Sequence, residues 1–247
     1  MISVRGLTKR YGDFTAVDGL SFEVQAGVIL GLLGPNGAGK TTTLRSITGI
    51  IPPTSGSVTI AGHDLKKDPV AAKGALAFIP DDPQFFDHLT VDEHLQFYAR
   101  LYSVSDGAER GQDLLRRLEL EDKAHNLPSQ LSRGMRQKLA IACALLHSPK
   151  VLFFDEPLTG LDPGGMRRMK ATLKAEAAAG STIVLSSHLL HLIEELASQV
   201  LVMANGKLVS LGPIGEIGAH RPELEGLGLE DIFLALTADA GSSEGLS

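Results

Sequence analysis

The chain has 247 residues, of which 43% are hydrophobic and 21% are charged. This composition is ordinary for a globular protein and excludes an intrinsically disordered chain. A net charge of −6 argues against nucleic acid as a main partner, because phosphate backbones attract basic surfaces. The single cysteine, Cys143, excludes an internal disulfide, and no apolar run reaches the roughly 18 residues of a membrane span. These values predict a soluble cytoplasmic protein.

The first third of the chain predicts strands and one helix around a glycine-rich loop. The run at 28–33 is almost continuously apolar, which is typical of a parallel strand covered on both faces. A helix over 40–48 is expected to end at Gly49. The predicted strands lie at 2–8, 20–25, 28–33, 57–60 and 76–79.

From Thr90 onward the apolar residues repeat about every 3.6 residues rather than every two residues, which predicts helices. Thr90 and Glu93 match a capping box. Buried strands are expected at 151–154 and 182–186, and Asn205 with Gly206 predicts a hairpin turn. The predicted helices begin near Thr90, span 109–118, begin at Ser132, run from Pro163 to about Gly180, and span 188–198.

This alternation of strands and helices predicts an α/β fold with a mainly parallel sheet. The strand-rich start predicts an antiparallel β subdomain, and the segment at about 88–148 predicts an inserted helical subdomain. We expect one domain over 1–212, a short helical extension over 213–237, and a disordered tail over 238–247.

Residues 34–41, GPNGAGKT, match the pattern G-x-x-x-x-G-K-[ST] between a buried strand and a helix. The glycines allow backbone N–H groups to surround phosphate oxygens, and the helix N-terminus favours an anion. Lys40 would bridge the β- and γ-phosphates and the Thr41 hydroxyl would bind Mg²⁺. The motif therefore predicts a P-loop NTPase core of the RecA-like type.

A second motif, VLFFDE at 151–156, is an apolar strand that ends in two acids. Asp155 is expected to bind Mg²⁺ through water, and Glu156 to orient or deprotonate the attacking water. An acidic surface turn would give the same pattern, and the two interpretations are evenly balanced for this motif alone. The phosphate loop favours the functional one.

Five motifs in order resemble the nucleotide-binding subunit of an ATP-binding-cassette (ABC) transporter. The resemblance covers about residues 2–212 and is closest to subunits of type-two exporters. The motifs are GPNGAGKT, then LSRGM at 131–135, VLFFDEP at 151–157, LTGLD at 158–162 and LSSH at 185–188.

The resemblance implies a role for each matching residue. Glu156, His188 and Lys40 would be catalytic, with His188 sensing the γ-phosphate. Ser132 and Gly134 would grip the γ-phosphate held by another subunit, and Asp162 would lie in the loop along the dimer interface. The implied metal ligands are Thr41, Asp155 and Asp81. The implied nucleotide contacts are Tyr11, Gly34, Asn36, Gly37, Gly39, Lys40, Thr41 and Thr42. A tyrosine at a strand end is the alternative interpretation of Tyr11.

Three positions depart from the family pattern. Arg133 and Met135 replace a glycine and a glutamine of the signature, and Asp81 stands where the family usually has a glutamine near Mg²⁺. Aspartate is shorter and anionic, so a role toward Mg²⁺ would act through water. Gln84, three residues later, is not an equivalent of that glutamine.

The resemblance implies an ATP- and Mg²⁺-dependent ATPase that powers transport through separate transmembrane permease subunits. A second ABC subunit, identical or different, would complete each ATP site in a head-to-tail dimer. The protein would be cytoplasmic and peripheral on the inner face of the membrane, with no nucleic-acid partner. Phe85, Phe86 and Tyr98 would lie toward the membrane subunit, and packing in the core is the alternative interpretation for about half of these aromatic residues. The alternatives are a non-transport ABC ATPase acting in assembly and an importer ATPase.

Overall fold

A computed structural model describes residues 1–157, 161–217, 224 and 226–242, with side chains as far as Ala238. The strands are β1 (Ile2–Tyr11), β2 (Phe14–Val24), β3 (Ile29–Leu33), β4 (Ser55–Ile60), β5 (His63–Asp64), β6 (Leu76–Ile79), β7 (Val151–Asp155), β8 (Thr182–Ser186), β9 (Gln199–Ala204) and β10 (Lys207–Pro213). The helices are α1 (Lys40–Ile47), α2 (Pro69–Gly74), α3 (Val91–Leu101), α4 (Gly107–Arg117), α5 (Arg133–Leu145), α6 (Pro163–Ala178), α7 (Leu190–Leu196) and α8 (Leu229–Ser242).

The strands form two sheets. One is antiparallel with the order β2-β1-β4-β5, and the other has the order β10-β9-β3-β8-β7-β6. In the larger sheet the strands from β9 to β6 are parallel, and β10 pairs with β9 in antiparallel fashion. The fold is therefore α/β with a mainly parallel sheet, as predicted.

The continuous apolar runs became the central strands because both of their faces are covered. Every residue of β3, β7 and β8 is buried. One core cluster packs β3, β7 and β8 against helices, and a second packs the other face against β1, β2 and α1. This arrangement holds the carboxyl ends of the parallel strands at one edge of the sheet.

A helical segment follows β6. The capping box at Thr90 is present, since its hydroxyl accepts from the Glu93 N–H and the Glu93 carboxylate accepts from the Thr90 N–H. The Ser132 hydroxyl caps α5 by accepting from the Met135 N–H at 3.2 Å. Leu95 of α3 packs in the same cluster as leucines of α4 and α5. Within the described residues, no helix is long and apolar enough to cross a bilayer.

The connection from β6 to α3 is fixed by contacts at both ends. At its start, the Gln137 Nε2 group donates to the Pro80 carbonyl oxygen at 3.5 Å. At its end, the Phe86 N–H donates to His94 Nε2 at 3.1 Å, while His94 Nδ1 lies 2.8 Å from the Thr90 carbonyl oxygen. His94 is 1% exposed, and burial lowers the pKa of its imidazole. These contacts join the sheet to the helical segment.

The structure differs from the prediction at several elements; strand β5 was not predicted, and β2 begins at Phe14 rather than at 20. Helix α2 was not predicted, and α7 begins at Leu190 rather than at 188 and ends at Leu196. Helix α8 continues through Ser242, whereas a disordered tail was expected from Ala238; alanines at 238 and 240 favour the helix. Residues 243–247 lie outside the described residues.

Candidate active site

The glycine-rich loop lies where three parallel strands end. In the sheet register, Leu32 of β3 is opposite Ser186 of β8, and Ser186 is opposite Asp155 of β7. An open cavity of about 420 Å³ lies at this edge. It is lined by Phe14, Ala16, Asn36, Gly37, Ala38, Gly39, Lys40, Thr41, Thr42, Asp155 and Glu156. The two motifs therefore meet in one place.

Two glycines of the loop lie too close to neighbouring strands to accept a side chain. Gly39 has a φ of +96°, and a Cβ atom there would lie 2.5 Å from the carbonyl oxygen of Ala16. A Cβ atom on Gly34 would lie 2.6 Å from the carbonyl oxygen of Met203. The loop is thus seated against β2 and β9, which fixes its shape and the direction of its N–H groups.

Lys40 extends back along the loop. Its Nζ donates to the carbonyl oxygens of Gly34 at 2.5 Å and Pro35 at 3.1 Å. Burial lowers the pKa of Lys40, and the nearby carboxylates of Glu156 and Asp155 oppose that shift. The ammonium group is therefore held over the loop, where a bound phosphate would lie.

Asp155 is buried, with a relative exposure of 8%, and two hydroxyls meet its Oδ1 atom. Ser186 Oγ donates to it at 2.6 Å and Thr41 Oγ1 at 3.4 Å. One carboxylate beside one hydroxyl fits Mg²⁺, which typically takes one or two carboxylates together with phosphate oxygens and water. Among the residues that the structure describes, no group of three or more His, Cys, Asp or Glu side chains could hold a metal. The pairing of Asp155 with the Thr41 hydroxyl suits a metal ion that takes further ligands from a bound nucleotide.

Glu156 has an unusual backbone conformation for a non-glycine residue, with a φ of +55°. Left-handed residues of this type cost roughly 1–3 kcal/mol and cluster at functional sites. Its Oε2 atom lies 2.9 Å from His188 Nδ1 and accepts from Ser187 Oγ at 3.3 Å. The carboxylate is therefore held at the cavity by residues that follow β8, while the His188 ring remains 64% exposed.

The aromatic group at the mouth of the cavity is Phe14, and the sequence did not identify it. Tyr11 and Phe14 are opposite each other across the β1–β2 turn, but Phe14 lines the cavity and is 65% exposed. Tyr11 is absent from the lining, and the Lys9 ammonium lies 5.0 Å from the centre of its ring. Ser186 and Ser187 were also missed as site residues, although a pair of serines at the carboxyl end of a buried strand was a usable signal.

Other predicted residues lie elsewhere in the chain. Ser132 and Gly134 are at the start of α5, which contributes nothing to the lining of the cavity. Asp162 accepts from the Gly165 N–H at 2.9 Å and so caps α6. The three residues before Leu161, which complete the predicted LTGLD motif, lie outside the described residues.

Asp81 does not line the cavity either. Its Oδ1 atom lies 2.8 Å from Arg133 Nη2, so two departures from the family pattern contact each other. The Gln84 amide donates to the neighbouring Asp82 carboxylate at 2.9 Å. A role for Asp81 toward Mg²⁺ stays a prediction, and the structure gives Asp81 a different partner.

Comparison with known proteins agrees with this site. The family model for ABC transporters matches residues 17–159. The Nod factor export ATP-binding protein I of Ralstonia nicotianae is 38% identical over 222 residues, covering 89% of this chain and 69% of that protein. The linearmycin resistance ATP-binding protein LnrL of Bacillus subtilis is 32% identical over 214 residues, covering 86% of this chain and 69% of that protein.

Solved structures show the same fold. An ATP-binding subunit of an ABC transporter superposes with a TM-score of 0.91 at 32% identity, covering 96% of this chain and 99% of that one. A dimeric post-hydrolysis state of the ATP-binding cassette MJ0796, bound to ADP and Pi, has a TM-score of 0.78 at 24% identity, covering 86% of this chain and 98% of that one. With a phosphate loop, a paired carboxylate motif and these relatives, the chain belongs to the ABC transporter family, as an ATP-binding subunit with a P-loop ATPase fold.

Proposed function

We propose that this ATPase powers export through separate transmembrane subunits, and that two copies close head to tail on ATP. The observation that supports the dimer is the division of the predicted phosphate contacts. Lys40 and Glu156 lie in the cavity, whereas Ser132 and Gly134 lie on α5, outside it. A second ABC subunit would bring its own α5 to the open cavity. Export is favoured by the names of the relatives, which include an export protein and a resistance protein.

In the proposed reaction, the phosphate loop and Lys40 hold the β- and γ-phosphates, and Glu156 accepts a proton from the attacking water. His188, which contacts the Glu156 carboxylate, orients that carboxylate toward the γ-phosphate. Thr41 and Asp155 are the residues that would hold Mg²⁺. The ion would neutralise negative charge that develops on the phosphate oxygens.

The adenine is proposed to stack on Phe14, because that ring is exposed at the mouth of the cavity. The Phe14→Ala variant is expected to raise the Kd for ATP about 5- to 150-fold, since stacking on a base contributes roughly 1–3 kcal/mol. Tyr11→Ala is the matched comparison and should have the smaller effect. Titration with a fluorescent ATP analogue measures both. A larger loss for Tyr11→Ala would assign the adenine to the tyrosine instead.

The proposed contact with the membrane subunit is the apolar outer side of the helical segment. Phe86, Phe97 and Leu101 are 53%, 39% and 60% exposed. Beside them, a groove of about 190 Å³ includes Phe85 and Tyr98 in its lining. Exposed apolar side chains grouped in this way are typical of a binding surface. The protein would then act on the cytoplasmic side of the membrane, held there by its partners.

Co-purification tests this function. The tagged chain, expressed in its native host, is expected to be recovered with the membrane fraction, and the Leu101→Ser variant is expected to lose that association. Val70→Ser, which removes an 83% exposed apolar side chain on α2, is the matched control and should have no effect. Recovery with soluble proteins alone would favour an assembly role. ATP-dependent uptake rather than export of a substrate would favour an importer.

A further inference from the structure

The ion pair between Asp81 and Arg133 joins two parts of the molecule that are far apart in the sequence. Asp81 follows β6, and Arg133 is the first residue of α5. The Arg133 Nη2 to Asp81 Oδ1 distance is 2.8 Å, and the two side chains are 48% and 46% exposed. A pair with this exposure contributes little to the stability of the fold, so it can break at little cost.

Arg133 carries its charge at an unfavourable place. A helix N-terminus has a partial positive charge, and the first turn of α5 has no acidic residue to balance it. Arg136, in the same turn, adds a second positive charge, and its guanidinium group donates to the Leu131 carbonyl oxygen. In the part of the chain that the structure describes, Asp81 is the carboxylate that pairs with Arg133. Asp81 therefore acts as the resting counter-ion of this end of the helix.

A second anion that could pair with Arg133, besides Asp81, is the terminal phosphate of ATP. Its presence follows from the proposed function, on which this inference rests. Arg133 lies between Ser132 and Gly134, so in a head-to-tail dimer its long side chain would be within reach of the terminal phosphate of ATP bound to the other subunit. A guanidinium group binds phosphate through paired hydrogen bonds, and a terminal phosphate carries more negative charge than a carboxylate. The phosphate would compete with Asp81 for the same guanidinium group.

We propose that the Asp81–Arg133 pair is a latch that opens when two copies close on ATP. Arg133 then contacts the γ-phosphate held by the partner, and Asp81 is released. Because Asp81 follows Pro80, which α5 also contacts through Gln137, release removes one contact between α5 and the start of the connection between β6 and α3. The loss of this ion pair thereby couples the binding of a γ-phosphate to the helical segment.

The test uses the full chain with Glu156→Gln, in which ATP should be bound but not hydrolysed. The measurement is the concentration of ATP, with Mg²⁺, that gives half-maximal dimer by light scattering. Asp81→Asn frees Arg133 and is expected to lower this concentration about three- to fivefold; Arg133→Gln is expected to raise it by a similar factor. In the Asp81→Asn/Arg133→Gln double variant, the gain from Asp81→Asn should vanish.

Asp82→Asn removes the same charge one residue away and should leave the concentration unchanged. Thermal unfolding of each variant checks that it folds. If the ion pair were purely structural, both single variants would change the ATP concentration for half-maximal dimer in the same direction. That result, or no change in either variant, would overturn the latch while leaving the proposed dimer intact. Failure of the Glu156→Gln chain itself to dimerise with ATP would overturn the proposed dimer and the latch together.

Discussion

Glu156→Gln is expected to lower the rate of ATP hydrolysis about 10²- to 10⁴-fold, because general-base catalysis contributes that much and glutamine cannot accept the proton. Binding should persist, since the amide keeps the size of the side chain and removes a negative charge from beside the γ-phosphate. Phosphate release over time gives the rate, and equilibrium titration with ATP gives the Kd. The ATP-bound chain is expected to accumulate as a dimer.

A matched control is Glu109→Gln, which makes the same change at an exposed residue of α4, outside the cavity. That variant should hydrolyse ATP at the parent rate. Ordinary turnover in Glu156→Gln would refute the assignment of Glu156 as the base. A loss of ATP binding as large as the loss of rate would instead make Glu156 a residue of the binding site.

Lys40→Ala is expected to weaken ATP binding by a factor of about 100 or more. Its ammonium group lies over the phosphate loop, and each hydrogen bond to a charged group contributes roughly 1.5–3 kcal/mol. Isothermal titration with ATP and Mg²⁺ measures the change. Binding of adenosine, which has no phosphate, should be affected far less, because Lys40 acts on the phosphates.

The control for this variant is Lys67→Ala, which removes an exposed lysine that does not line the cavity. It should bind ATP as the parent does. An affinity of Lys40→Ala within about threefold of the parent would contradict the role of Lys40 and, with it, the phosphate loop as the centre of the site.

The parallel sheet was predictable because its strands are buried on both faces, and such strands are continuous apolar runs in the sequence. Helix α2 was not predicted, although Asp68 caps it and Pro69 opens it. The same combination at Asp162 and Pro163 did predict α6, which is longer. Six residues are too few for apolar periodicity to register, so the cap and proline were the signals that remained.

The site was predictable where its residues are adjacent in sequence. Lys40 and Thr41 belong to one loop and Asp155 and Glu156 to one strand end, so linear motifs were sufficient. The position of Phe14 depends on which side of the β1–β2 turn faces the cavity, and no motif contains that information. The ion pair between Asp81 and Arg133 joins residues 52 positions apart, and only the packing of α5 beside the end of β6 brings them together.

The hydrogen-bond partners of the buried His94 ring, at Phe86 and Thr90, also determine which ring nitrogen carries its proton. The Phe86 N–H can only donate and the Thr90 carbonyl can only accept, so the neutral ring carries hydrogen on Nδ1 and a lone pair on Nε2. A second proton on Nε2 would face the Phe86 N–H and break that bond. Burial lowers the pKa of His94 below its usual 6.5, and the hydrogen bond to the Thr90 carbonyl and the charge of Glu93 oppose that shift. The contribution of His94 to stability is therefore complete above about pH 6.5 and is lost as the pH falls through the lower, folded value. The hydrogen bond that fixes the end of the connection beside α3 therefore depends on an uncharged imidazole, whereas the contact at Pro80 does not.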